Sequence, residues 1–254
     1  MALRVSGRLA ATADTTDTGT VDPLPQLAEL ARREGACFHV DAACGGFFRL
    51  TKRGSERLVD MEEADSITLD PHKTLFMSFG TGVLVVRDLT SPRAAHDGTG
   101  SYLQDIQVAG SVPDSRHLGP EVTHEIRDPL ACLPLQLHGV DAFREALDEK
   151  LDLAAHVHDT LSGITEPEVP QHPDPSTVIF RVRPTDESPG AAERADEAGR
   201  RLLERRNAHR RVVLSGTVVD DRHTLRVCVV SHRTHHERIT EALEIITTEA
   251  RRGR

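Results

Sequence analysis

The sequence predicts an α/β protein, on three observations. Short apolar runs alternate with helix-patterned stretches through the first ninety or so residues. Two of those runs end about thirty positions apart, the length of one strand–helix–strand unit. Beyond a proline-rich stretch near Pro170, the order changes to strand, helix, two strands and helix.

The elements follow in order. Residues 22–34 read as a helix: Asp22 is placed to cap it, Pro23 suits the first turn, Leu24, Leu27, Leu30 and Ala31 form an apolar stripe, and Gly35 stops it. Ala36–Asp41 is a short apolar run ending in a carboxylate, and the small residues of Ala42–Gly46 then fit a tight turn. A helix is expected around Glu56–Glu63, and a strand over Ser66–Leu69 that runs directly into Asp70-Pro-His-Lys73. Gly82–Arg87 is continuously apolar before its final arginine, as a strand buried on both faces would be. From Asp88 to Asp128 the chain is polar and irregular, the composition of a long loop. Residues 130–161 read as helix broken near Pro134 and Gly139. The rest predicts a strand at Thr177–Arg183, a helix at Ala191–Asn207, strands Val212–Val219 and Thr224–Ser231 around an Asp-Asp turn, and a last helix at Glu237–Arg251. Two units are therefore expected, residues 1–165 and 166–254, because domain boundaries favour proline-rich linkers.

Composition narrows the function. Among 254 residues, 31 Lys+Arg stand against 40 Asp+Glu, a formal charge of −9 with no basic block. That balance argues against general nucleic-acid binding, whose affinity comes largely from phosphate neutralisation. With no Trp and one Tyr, aromatic platforms for stacking bases are scarce. No apolar run approaches the ~20 residues of a membrane-spanning helix. Cys37, Cys44, Cys132 and Cys228 are scattered without a C-x-x-C pair, which favours reduced thiols and a cytoplasmic setting over zinc or disulfides. Lys52, Lys73 and Lys150 are the lysines, so chemistry that needs a primary amine has three candidates.

Two predicted strand ends carry the chemistry. Asp41 closes one and Lys73 lies just beyond the other. Parallel strands joined by a crossover end at the same edge of the sheet, where open α/β sheets bind ligands. A carboxylate and an amine at one crevice suit pyridoxal phosphate, which bonds a lysine through its aldehyde and needs an acid to keep its ring nitrogen protonated. The spacing alone equally allows a solvated lysine and a turn-forming aspartate.

Residue identity adds to this. His39-Val-Asp-Ala-Ala-Cys-Gly-Gly46 followed by Ser66-Ile-Thr-Leu-Asp-Pro-His-Lys73 closely resembles the signature of the pyridoxal-phosphate-dependent group II amino-acid decarboxylases. Ala11-Thr-Ala-Asp-Thr-Thr-Asp-Thr-Gly-Thr-Val-Asp-Pro23 is similar to that family's preceding element, and Leu133–Gly139 and Leu225–Ser231 to its later landmarks. The resemblance implies an aspartate-aminotransferase-like (type I) fold, of which the chain would hold the later part of the large domain and the α+β small domain. It implies decarboxylation of an L-amino acid by a homodimer. Lys73 would form the Schiff base with the cofactor, Asp41 would hold the pyridinium proton, and Ala43 would pack on the ring. His72 and Asp70 would sit near the phosphate and the imine, and Thr15 would position the ring substituents.

The sequence also departs from the family. The family's phosphate loop and ring-stacking histidine precede the element that here begins at Ala11, ten residues after Met1, so the chain reads as the later part of a longer enzyme. Asp14 stands where the family has glycine, and its side chain and charge are expected to crowd the site and repel phosphate. Ser115 falls about where many members carry a tyrosine on a mobile loop, and Glu125–Leu130 matches an arginine-rich element only in part, retaining Arg127. Two other readings follow from the residues. One is a metal site using His39, Asp41 and His72, or His232, His235 and His236, although His124-Glu125 lacks the second histidine of a zincin motif. The other is a truncated or degenerate member without decarboxylase activity, surviving as a remnant or as an interaction subunit.

Overall fold

The computed structural model describes residues 7–96, 118–120, 125–208 and 210–252. Ser115 and His124 lie outside the described residues.

The first sheet has the order β1 (Arg8–Thr12), β2 (Cys37–Asp41), β3 (Ser66–Leu69), β4 (Val83–Val86). The first three strands are parallel and β4 is antiparallel to β3. Helix α1 (Leu24–Glu34) makes the first crossover, burying Leu24, Ala28 and Ala31. Gly35 ends it at φ +63° as a left-handed cap, accepting the role its lack of a Cβ allows. The cap at the other end differs from expectation. Pro23 is the N-cap residue, and the Asp22 carboxylate instead accepts the Thr12 backbone N–H at 2.7 Å, because the end of β1 competes for it.

Between β2 and β3 the expected single helix is two pieces: α2 (Lys52–Arg57), capped by the Thr51 hydroxyl on Gly54 N–H at 3.0 Å, and a 3₁₀ turn at Met61–Glu63. The single turn α3 (Pro71–Thr74) follows β3 directly. β4 departs furthest from its sequence. Val83, Leu84 and Val85 are exposed, because β4 is the edge of the sheet and no element among the described residues covers it. The stretch after Asp88 also begins with a helix rather than a loop, α4 (Thr90–His96).

Helix α5 (Asp128–Ser162) kinks at Gly139, whose φ of +75° and ψ of +156° only glycine adopts readily. Its later half belongs to two apolar cores. Leu147 and Leu151 pack with Ala11, Phe38, Val40 and Phe48 under the first sheet, while Leu153, Ala154, Val157 and Leu161 face the second. That second sheet is antiparallel, in the order β5 (Pro167–Glu168), β6 (Thr177–Val182), β8 (Arg222–Cys228), β7 (Ser215–Val219). Asp220 and Asp221 join β7 to β8 with φ of +50° and +59°, the tight hairpin that matches strand twist. Helices α6 (Ala191–Ala208) and α7 (His236–Arg252) complete its core.

The two sheets meet along a seam of charged groups. Asp174 accepts from Arg57 at 2.7 and 2.5 Å and from Val21 N–H at 3.2 Å. The Thr217 hydroxyl donates to Asp17 at 2.9 Å, and Arg226 donates to the Thr16 carbonyl. The carboxyl edge of the first sheet is thereby held against the face of the second.

Candidate active site

Parallel pairing decides where the site lies. Asp41 pairs with Thr68 in register, and Ala42 N–H donates to the Thr68 carbonyl at 3.0 Å, so β2 and β3 end together. The chain turns sharply after each. After β2, Gly45 N–H returns to the Ala13 carbonyl at 3.3 Å, and a Cβ at Gly45 would lie 2.8 Å from that oxygen, so glycine is required for this approach. After β3, Pro71 starts α3, and the Thr74 hydroxyl donates to the Cys44 carbonyl at 2.7 Å. That bond locks the two turns together and brings Lys73 beside Cys44.

A cavity of about 500 Å³ opens there, lined by Asp14, Thr15, Cys44, His72 and Lys73 from the first unit and by Arg226 from β8. Lys73 Nζ is 2.8 Å from Asp70 Oδ2. Burial by itself would lower the Lys73 pKa; its hydrogen bond to Asp70 and its contact with Cys44 outweigh that and raise it. Burial, then the nearby Asp14, pushes the Cys44 thiol up. His72 Nδ1 lies 2.8 Å from the Thr81 carbonyl, which can only accept, so Nδ1 carries the proton and Nε2 keeps its lone pair in the neutral ring. The Thr15 hydroxyl is fixed by Thr18 at 2.8 Å and by Thr20 N–H at 3.0 Å.

Thr15, His72 and Lys73 therefore share one wall, and Asp70 joins them through its ion pair. Asp41 and Ala43 do not line the cavity. They lie in the adjoining turn, where the Asp41 carboxylate accepts the Ala43 N–H at 3.1 Å. Cys44 and Arg226 do line it, and neither was picked out as functional from sequence. Cys44 follows Asp41 in the quoted turn, and Arg226 lies in the Leu225–Ser231 landmark, so position within the motifs was the available signal. Asp14 is also different from expectation. It is 5% exposed, and burial together with the Asp174 carboxylate pushes its pKa up to about 8, against the pull of Arg226 and Lys73. At neutral pH it is an uncharged acid and does not repel an anion.

The donors suit an anionic aldehyde cofactor. Lys73 offers a primary amine, Thr15 and His72 offer polar contacts, and Arg226 adds a guanidinium to the lining. Among the described residues, no three His, Cys, Asp or Glu side chains form a group able to hold a metal ion, and no helix is long and apolar enough to cross a membrane.

Comparison with known proteins agrees with this geometry. Residues 6–183 match the model of the pyridoxal-dependent decarboxylase conserved domain. Tryptophan decarboxylase 1 of Oryza sativa subsp. japonica is 30% identical over 246 residues, covering 95% of this chain and 48% of the relative. The aromatic-L-amino-acid decarboxylase of Bacillus atrophaeus is 28% identical over 235 residues, covering 92% of this chain and 48% of the relative. The crystal structure of Oryza sativa TDC with PLP and tryptamine superposes with a TM-score of 0.88 at 28% identity, covering 96% of this chain and 50% of that one. The chain thus spans about half the length of the curated relatives it matches. Its architecture is the aspartate-aminotransferase-like (type I) fold, and with the motif spacing, the amine-bearing cavity and the matched domain in agreement, the chain belongs to the pyridoxal-dependent decarboxylase family.

Proposed function

We propose that this chain carries the reacting lysine of an enzyme that decarboxylates an L-amino acid with pyridoxal phosphate. One observation carries the reading: the Lys73 amine, held by Asp70, faces a cavity at the carboxyl edge of parallel strands in the motif spacing of the family. The chemistry that pyridoxal phosphate supplies when bound is an electron sink for the bonding pair released as carbon dioxide departs.

The protein's own groups do the rest. Lys73 reacts with a carbonyl only after losing a proton, and Asp70 at 2.8 Å fixes its direction while keeping it charged until then. His72, with Nδ1 committed to Thr81, presents Nε2 as a base. Thr15 is held by two hydrogen bonds in one orientation toward a ring, and the Arg226 guanidinium in the cavity lining offers its charge to an anionic group. Asp41 would partner the protonated ring nitrogen and Ala43 would pack on the ring, as the family motif implies, although both lie in the turn beside the cavity, where the Asp41 carboxylate accepts the Ala43 N–H at 3.1 Å.

The proposal extends to organisation. Residues 1–165 form the partial cofactor-binding unit and 166–254 the small unit, a division supported by their separate sheets and apolar clusters. A homodimer is supported by the exposed apolar β4, and a cytoplasmic setting by four free cysteines. A second reading, a non-catalytic chain that retains the fold, is favoured by the place of Asp41 and Ala43 outside the cavity lining. Adding pyridoxal phosphate to the purified protein should give a visible absorption band, and borohydride should fix the cofactor on Lys73 in a peptide map. Lys73→Ala should abolish the band and Lys52→Ala should keep it. A folded protein that gives no band supports the second reading instead.

A further inference from the structure

Asp14 occupies a place in the cavity wall that the backbone has been shaped to receive. Its φ is +83°, in the left-handed region that favours glycine and that aspartate adopts with some strain. Two glycines clear the space around it. A Cβ at Gly45 would sit 2.6 Å from the Asp14 Cβ, and one at Gly19 would sit 3.2 Å from Asp14 Oδ1. The side chain is buried yet lines the cavity that holds Lys73 and Arg226.

The charges around it are nearly all matched. Asp174 faces it from the segment before β6 but is paired with Arg57. Lys73 faces it from α3 but is paired with Asp70. Cys44 faces it from the turn after β2 as a thiol whose own pKa is raised, and His72 and His232 share the wall. Arg226 faces it from β8; its guanidinium donates to the Thr16 carbonyl and to Cys228 Sγ, and no carboxylate forms an ion pair with it among the described residues. The cavity therefore carries a cation not already matched, Arg226, and one acid whose ionisation would cancel it.

We propose that Asp14 sets the affinity of this cavity for a phosphate-bearing ligand: as an uncharged acid it leaves Arg226 free to hold the anion, and as a carboxylate it cancels Arg226 and repels the anion. This rests on the cofactor reading above and adds the residue that controls loading. The raised pKa of about 8 places the change on the alkaline side of neutrality. Ligand binding above that pH should draw in one proton, because the bound form requires the acid.

The test uses pyridoxine 5′-phosphate, which has no aldehyde and so binds without bonding Lys73, titrated by calorimetry at pH 7 and pH 9. Asp14→Asn keeps the shape without the charge and cancels the ligand's own titration as a reference. Should that variant fail to fold, Asp14→Gly serves, since its backbone prefers this conformation. The dissociation constants of wild type and variant should agree at pH 7, and the wild type should be about tenfold weaker by pH 9, as one linked proton requires. Pyridoxine without the phosphate should show no such divergence. Equal ratios at both pH values, or the same divergence with pyridoxine, would overturn the role of Asp14 while leaving the cofactor reading intact. No binding of pyridoxine 5′-phosphate by either protein at pH 7 would overturn both.

Discussion

β4 and β6 look alike in sequence and differ in structure. Val83-Leu-Val-Val86 and Thr177-Val-Ile-Phe-Arg-Val182 are both dense in β-branched and apolar residues, and both are predicted as strands. In β6, Val178, Ile179 and Phe180 are at most 1% exposed, because β5 and β8 flank the strand and α5 and α6 pack against it. In β4, Leu84 is 59% exposed and its neighbours on either side are exposed as well, although they point to opposite faces. The same composition thus reports what a strand requires rather than what surrounds it. β6 meets that requirement with residues from both units, through α5 and α6, whereas β4 finds no cover among the described residues.

The largest expected effects test the closed side of this contrast. Phe180 lies opposite Leu225 across the β6–β8 ladder, in a core with Val178, Leu202 and Leu243. Phe180→Ala should destabilise the protein by about 3–5 kcal/mol, through lost burial and the cavity left behind. Urea unfolding followed by circular dichroism would measure it. A loss under ~1 kcal/mol would show that this core is looser than its burial indicates, and the contrast with β4 would lose its closed member.

Next in size is a pH effect at the seam between the two units. Asp14 has a folded pKa raised to about 8, above its unfolded value near 3.8. Between those values the folded state holds a proton that the unfolded state has released, so stability falls as pH rises, and the fall ends above about pH 8. Relative to Asp14→Asn, the wild type should lose about 2–3 kcal/mol between pH 6 and pH 8, at roughly 1.4 kcal/mol per unit. Parallel melting curves of the two proteins across that range are the measurement. Curves that stay parallel would mean that water reaches Asp14 and that the seam is open rather than packed.

What was legible in the sequence follows the same division between local and nonlocal causes. Ser66–Leu69 and the Gly35 stop are set by neighbouring residues, and both lie where the pattern put them. The common edge of Asp41 and Lys73 followed from a rule of parallel crossover, so it too could be read. The Asp22 cap could not, because its carboxylate is taken by Thr12, ten residues away in sequence. Arg226 reaches the cavity from a strand more than 150 residues beyond Lys73, a closeness that no local pattern contains. The raised pKa of Asp14 depends on burial and on Asp174, whereas counting charges along the chain gives it a full negative charge.

The smallest expected effect bears most directly on β4. With the strand exposed, Leu84→Gln removes little buried surface, and unfolding free energy should change by less than about 0.5 kcal/mol. The same holds for Leu137, 70% exposed on the first half of α5. A protein that leaves both uncovered should gain solubility from the changes, since contiguous exposed apolar residues favour association. Sedimentation at several protein concentrations, run beside the unfolding curves, separates the outcomes. Unchanged stability with weaker self-association would place β4 at a free surface that sticks to copies of itself. A concentration-dependent loss of about 2 kcal/mol would instead show that the strand is covered in solution by a second chain. In that case β4 and β6 would differ only in whether the covering residues come from the same polypeptide.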